Sequence, residues 1–255
     1  MIAGVITDPW FWAAAIPAVL LVGMSKGGFG SGAGIFATPL MALTIPIPQA
    51  AAIMLPILIV MDVVGLYAYR GKFHRENLPV LLVGGVLGIA LGALTFRYLS
   101  DAWTRLLLGA ISVGFVLHYY GFRVGERVAS RSPVKGFFWS TVSGLTSTIA
   151  HAGGPPLSIY LLPLRLEKSV LVGTTIVFFA VVNLVKLIPY AWLELFDGRN
   201  LSTSAALAPL APVGIFMGYQ MMRRVNEVLF YRICYGLLFV VGLRLLWEGF
   251  TAPWG

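Results

Sequence analysis

Apolar residues fall into eight runs along the chain, roughly 10–45, 48–69, 78–98, 103–121, 134–164, 169–190, 201–221 and 227–249. Six of these have the ~20 residues that a membrane-spanning helix needs. The other two, 10–45 and 134–164, are too long for one span and are interrupted by small and polar residues near their middles. The first interruption reads Gly23-Met24-Ser25-Lys26-Gly27-Gly28-Phe29-Gly30-Ser31-Gly32-Ala33-Gly34. Repeated glycine makes a continuous helix costly there. The second reads Ser147-Thr148-Ile149-Ala150-His151-Ala152-Gly153-Gly154-Pro155-Pro156, and its Gly-Gly-Pro-Pro suits the end of one helix and the first turn of the next. Non-helical backbone at membrane depth survives only where it is buried in protein or lines a wet cavity. Each long run is therefore expected to be a pair of shorter helices beside a cavity.

Composition narrows the class. Of the residues, 58% are apolar and 11% are charged, where a soluble domain carries about 25% charged. That excludes a soluble globular protein, a disordered chain and a small disulfide scaffold. The runs are continuous rather than alternating, which argues against a transmembrane β-barrel. The fold class is an all-α polytopic membrane protein. Cys234 is the only cysteine, so no disulfide or thiolate metal site can form within the chain, and it is expected to be a core residue. Met1 to Pro9 holds Asp8 and no basic residue, unlike the basic start of a cleaved signal peptide.

The net charge of +8 is best read as an orientation signal rather than as a nucleic-acid footprint. If both long runs crossed the membrane, the loops would hold eight basic residues on one side and seven on the other. If both were re-entrant hairpins, twelve would share one side against Arg97, Arg105 and Arg199 on the other. The second arrangement obeys the positive-inside rule. It predicts six spans plus two hairpins, with both termini outside and the 122–133 linker in the cytoplasm. The chain then divides into two repeats, 1–121 and 134–255, each a broken hairpin followed by three spans. Three is odd, so the halves are inverted relative to each other, a recurring plan in secondary transporters with a midplane site. With an offset of 119 residues, Ala33-Gly34 falls on Ala152-Gly153.

The breaks also carry the candidate chemistry. Helix starts near Gly34 and Pro155 would present backbone N–H groups to an anion, with Gly28, Gly32, Gly34, Gly153 and Gly154 allowing close approach. Ser31, Thr38, Ser147 and Thr148 add hydroxyls. Lys26 is an intramembrane cation, suited to attract an anion or to act as counter-ion to Asp62. His151 can donate to an anion or carry a proton. Asp62, Asn183 and Lys186 are coupling or gating candidates, with snorkelling to the outer interface the alternative for Lys186. Gly84, Gly88 and Gly92, spaced by four, read as a helix-packing face. Gly23-Met24-Ser25-Lys26-Gly27 matches the G-x-S-x-G of hydrolases, but an apolar helix stands where the motif needs a strand; an intramembrane pair of Ser25 with His151 is the enzyme alternative. No ATP-site or metal motif is present in the sequence, so neither cofactor nor metal is expected.

Both breaks resemble signatures of the TauE/SafE sulfite exporter family. The first is Gly23 to Gly34 followed by Thr38-Pro39-Leu40. The second is Ser147 to Leu157 with Tyr160 and Gly173-Thr174-Thr175. The resemblance covers nearly the whole chain. It implies a carrier of small sulfur-containing anions, such as sulfite or organosulfonates, in a bacterial inner membrane. The function expected is a secondary transporter, with export as the direction and an anion channel as a further alternative. Expected partners are the anion, membrane lipids and protons, with a second copy of the chain a further candidate, and no nucleic acid.

Overall fold

Asp8 starts the first helix. Its carboxylate accepts from the Trp10 amide at 3.0 Å, and Pro9 fills a first-turn position where a missing N–H costs nothing. The computed structural model describes residues 4–29, 35–121, 128–221 and 227–252. In chain order the helices are α1 (Pro9–Met24), α2 (Ala37–Met41), α3 (Ile47–Ala68), α4 (Leu78–Tyr98), α5 (Asp101–Gly121) and α6 (Pro133–Ala150). They continue with α7 (Gly154–Leu161), α8 (Lys168–Trp192), α9 (Gly198–Leu207), α10 (Leu210–Met221) and α11 (Glu227–Thr251). No strand occurs among the described residues. Among the described residues, seven stretches are long and apolar enough to cross a membrane: the six expected spans and Pro9–Gly27, the first arm of the first long run. The chain is a multi-pass helical membrane protein. Trp10, Trp103, Trp192 and Trp247 are exposed near helix ends, as interfacial aromatics are.

The second long run folds back on itself. His151 adopts a left-handed conformation, φ 54°, which few non-glycine residues do, histidine more readily than most. The His151 and Ala152 amides donate to the Ser147 and Thr146 carbonyls at 3.0 and 3.2 Å, closing the end of α6. The Ser143 hydroxyl then donates to the Gly153 carbonyl at 2.7 Å, and Gly136 faces the Tyr160 ring. So α7 runs back along α6. In the first run, Ala37 and Met41 of α2 share a buried cluster with Val19 and Val22 of α1.

Two boundaries differ from expectation. Helical winding survives into the first glycine run as a π turn, Ser25–Phe29; the expected second start near Gly34 falls outside the described residues, which are helical again by Ile35. Packing overrides propensity here: a Cβ on Gly27 would lie 2.2 Å from the Ile215 carbonyl oxygen. The 201–221 span is two helices, α9 and α10, because Pro209 lacks an amide and restricts Ala208 before it. Cys234 lies in the core with Tyr235 and Leu238.

Small residues set the tightest contacts. Gly84, Gly88 and Gly92 of α4 press on Ser140, Thr141 and Thr148 of α6; a Cβ on Gly88 would sit 2.0 Å from the Thr141 carbonyl oxygen. The crossing of α1 with α10 is built alike, with Gly23 against Gly214 and Gly218 against Met24. Both crossings run parallel. By contrast α3 and α8 run antiparallel, with Gly65 against Ile176 and Ala51 and Leu55 in one cluster with Tyr190. The α5–α11 pair is also antiparallel, with Gly109 near Gly242 and Leu246 and Leu106 near Gly249.

Candidate functional site

Five elements bring polar side chains to one buried place. The π turn supplies Lys26, α3 supplies Asp62, the end of α6 supplies Ser147, and the reversal supplies His151. The fifth, α8, supplies Asn183 and Lys186. Asp62 Oδ1 pairs with the Lys26 ammonium, and Asp62 Oδ2 accepts from the Asn183 amide at 2.5 Å. Both partners of the ion pair are largely out of water, with side-chain exposures of 15% and 4%. Screening is weak for such a pair.

Lys186 is different. It is fully buried, and no carboxylate pairs with it among the described residues. Its ammonium donates to the Ser147 carbonyl at 3.2 Å, to Ser147 Oγ at 3.0 Å and to His151 Nδ1 at 2.8 Å. Three acceptors match the three protons of a charged ammonium. The imidazole is fixed in turn. Its Nε2 lies 2.9 Å from the Ala51 carbonyl oxygen, which only accepts, so Nε2 carries the proton and Nδ1 receives from Lys186. His151 is thereby held neutral. Ser147 Oγ, already accepting from Lys186, has its own proton left to donate. The snorkelling alternative for Lys186 is not realised, because these acceptors draw the ammonium inward.

A cavity opens beside this cluster, lined by Lys26, Leu58, Asp62, Ser147, His151, Gly154, Val172, Thr175, Ile176, Phe179 and Asn183. About 40 Å³ of it is free for the centres of water-sized molecules, room for roughly three waters at about 10–15 Å³ each. A second cavity, lined by Gly27, Val64, Ala68, Tyr69 and Ile215 among others, shares Lys26, Asp62 and Ile176 with the first. The ion pair and the Ile176–Gly65 contact thus stand between two cavities. Toward the C-terminal end of α8, Tyr190 closes the site. It is fully buried with Ala51 and Leu55, and its hydroxyl donates to the Thr148 carbonyl at 2.7 Å.

Of the residues singled out in the sequence, Lys26, Asp62, Ser147, His151, Gly154 and Asn183 line the cavity, and Lys186 lies directly behind Ser147 and His151. The Thr148 hydroxyl turns instead to the Gly144 carbonyl of its own helix. Thr38 is buried, its hydroxyl has no partner among the described residues, and it does not line this cavity. Gly153 binds Ser143 through its carbonyl. Gly28 lies in the π turn, and Ser31, Gly32 and Gly34 fall outside the described residues. Pro155 and Pro156 have no N–H, so the start of α7 can offer few backbone donors beyond Gly153 and Gly154. Both ring nitrogens of His151 are engaged, by Lys186 and by Ala51; neither is left to take a proton from Ser25. Sequence reasoning missed Leu58, Val172, Ile176 and Phe179, and it had Thr175 only as part of the second signature, not as a site residue. The signal was there for α8, where 172, 175, 176, 179, 183 and 186 fall on one helical face.

The fold and site define a class: a multi-pass helical membrane protein with a buried charged cluster beside a small internal cavity. Over residues 15–245 the chain matches the family described as sulfite exporter TauE/SafE, and it belongs to that family, a family of transporters. No curated protein and no solved structure matches it.

Proposed function

We propose that this chain is a secondary transporter that exports small sulfur-containing anions, sulfite or organosulfonates, by alternating access around the cavity between α3, α6–α7 and α8. The observation that carries the reading is Lys186, fully buried with three neutral acceptors and no carboxylate hydrogen-bonded to it among the described residues. Burying such a charge costs several kcal/mol unless an opposite charge compensates it, and an anion in the adjoining cavity supplies that charge. Lys26, the Ser147 hydroxyl and the Gly154 amide would hold its oxygens. With an inside-negative membrane potential, anion exit is downhill at about 2.3 kcal/mol per charge per 100 mV.

The inverted halves, 1–121 and 134–255, are part of this proposal. Exchanging them maps α3 onto α8 and α5 onto α11, both antiparallel pairs, and maps the α1–α10 crossing onto the α6–α4 crossing, both parallel. Each observation supports an inverted repeat. The loop charges support termini outside and the 122–133 linker in the cytoplasm of a bacterial inner membrane. Tyr190 then seals the outer end of the site, and the cavity extends from the cluster toward Val172 at the cytoplasmic end of α8. Protons are proposed as coupling partners, and a second copy of the chain as a partner in the membrane.

The test is uptake of labelled sulfite into proteoliposomes holding the purified protein. A carrier gives saturable uptake, competition by unlabelled sulfite, and counterflow. Conductance without saturation or counterflow would make the protein a channel, and no movement of sulfite or small sulfonates would end the substrate reading.

A further inference from the structure

The cluster beside the cavity has a definite charge count. Lys26 and Asp62 cancel. Lys186 is counted as the ammonium that its three neighbouring acceptors accommodate, which adds one positive charge. His151 adds none, since its two ring nitrogens are one donor and one acceptor. Among the described residues, Lys26 and Asp62 are the charged side chains that line the cavity, and Lys186 lies behind its wall. The net charge is therefore +1, in a cavity whose remaining wall includes Leu58, Val172, Ile176 and Phe179.

We propose that the cavity selects singly charged anions over doubly charged ones of the same headgroup, and that Asp62 sets this selectivity. The inference rests on the transport reading above and deepens it. A monoanion brings the buried cluster to neutrality. A dianion leaves one uncompensated negative charge among apolar side chains, and the desolvation cost of an ion grows with the square of its charge. Asp62 is the residue that holds the count at one. Without its carboxylate, Lys26 and Lys186 together present two positive charges, which is the complement of a dianion. The apolar wall adds to the preference, because it can receive a short alkyl group where a dianion would keep a water shell.

Methanesulfonate and sulfate are the probes. Both present sulfur-bound oxygens, one with a single charge and the other with two. Uptake of each, labelled, is measured in proteoliposomes with the wild type, Asp62→Asn, and the double variant Lys26→Gln/Asp62→Asn. The wild type is expected to prefer methanesulfonate by about tenfold or more. Asp62→Asn, with a count of +2, is expected to shift the ratio toward sulfate by about tenfold. The double variant restores +1 and is expected to regain the wild-type ratio, whatever its absolute rate. Equal or better uptake of sulfate by the wild type overturns the inference and leaves the transport reading standing. So does an unchanged ratio in Asp62→Asn, or a double variant that behaves like Asp62→Asn. If neither anion moves in the wild type while sulfite does, the inference is overturned and the transport reading stands; if sulfite does not move either, the transport reading falls and takes the inference with it. Should Asp62→Asn fail to fold, the wild-type ratio and the double variant still decide.

Discussion

Lys186→Met is expected to remove most anion uptake while leaving the protein folded. The methionine has similar length and fills the same buried space. Replacing a buried ion by an apolar side chain of like volume is often tolerated. What is lost is the charge. A monovalent anion about 6–8 Å from the ammonium, at an effective dielectric near 20, is stabilised by roughly 2–3 kcal/mol. That corresponds to about thirty- to hundredfold in affinity. The measurement is the concentration dependence of labelled sulfite uptake, together with the melting temperature of the purified variant in detergent. Weak binding with near-normal melting is the expected pattern. Normal uptake by a folded Lys186→Met protein would remove Lys186 from the site. Ser147→Ala should produce a smaller loss, because it removes one donor to the anion and one acceptor from Lys186 but leaves the charge in place.

Lys26→Ala should have the largest effect on stability. It strips Asp62 Oδ1 of its cation and leaves the carboxylate with the Asn183 amide as its hydrogen-bond partner among the described residues. Breaking a buried ion pair from one side costs about 3–5 kcal/mol, because the other charge stays behind unpaired. Removing both partners costs much less. The double variant Lys26→Ala/Asp62→Ala is therefore expected to melt closer to the wild type than Lys26→Ala alone. Thermal unfolding of the four proteins in one detergent gives the coupling directly. Additive losses would mean that the pair contributes nothing together.

Much of this organisation was legible in the sequence, for identifiable reasons. The spans could be read because lipid imposes a length on every crossing helix. The breaks could be read because glycine and proline interrupt a helix wherever they cluster. Gly84, Gly88 and Gly92 announced a packing face, and α6 occupies it. Asp62 and Asn183, both singled out as coupling or gating candidates, proved to be hydrogen-bonded to each other. Other features depend on tertiary contacts that no local pattern records. Lys26 and Lys186 look alike in sequence, each a lone cation in an apolar run. Only the fold separates them, giving Lys26 a carboxylate and Lys186 a set of neutral acceptors. Gly27 read as part of the helix break and is instead wound into a π turn pressed against α10. The apolar cavity wall was hidden because Val172, Ile176 and Phe179 read as ordinary helix core.

The central claim is that the anion occupies the cavity beside Ser147 and His151, and thiol protection tests it most directly. Cys234 is the sole cysteine, so a Cys234→Ser background can carry a single reporter, Thr175→Cys, on the cavity wall. The rate of maleimide labelling is measured with and without saturating methanesulfonate, an anion that does not consume the reagent. The account predicts slower labelling as the anion fills the cavity, with a concentration dependence that matches its inhibition of sulfite uptake. Labelling at the same rate with and without the anion, in a variant that still transports, would contradict it.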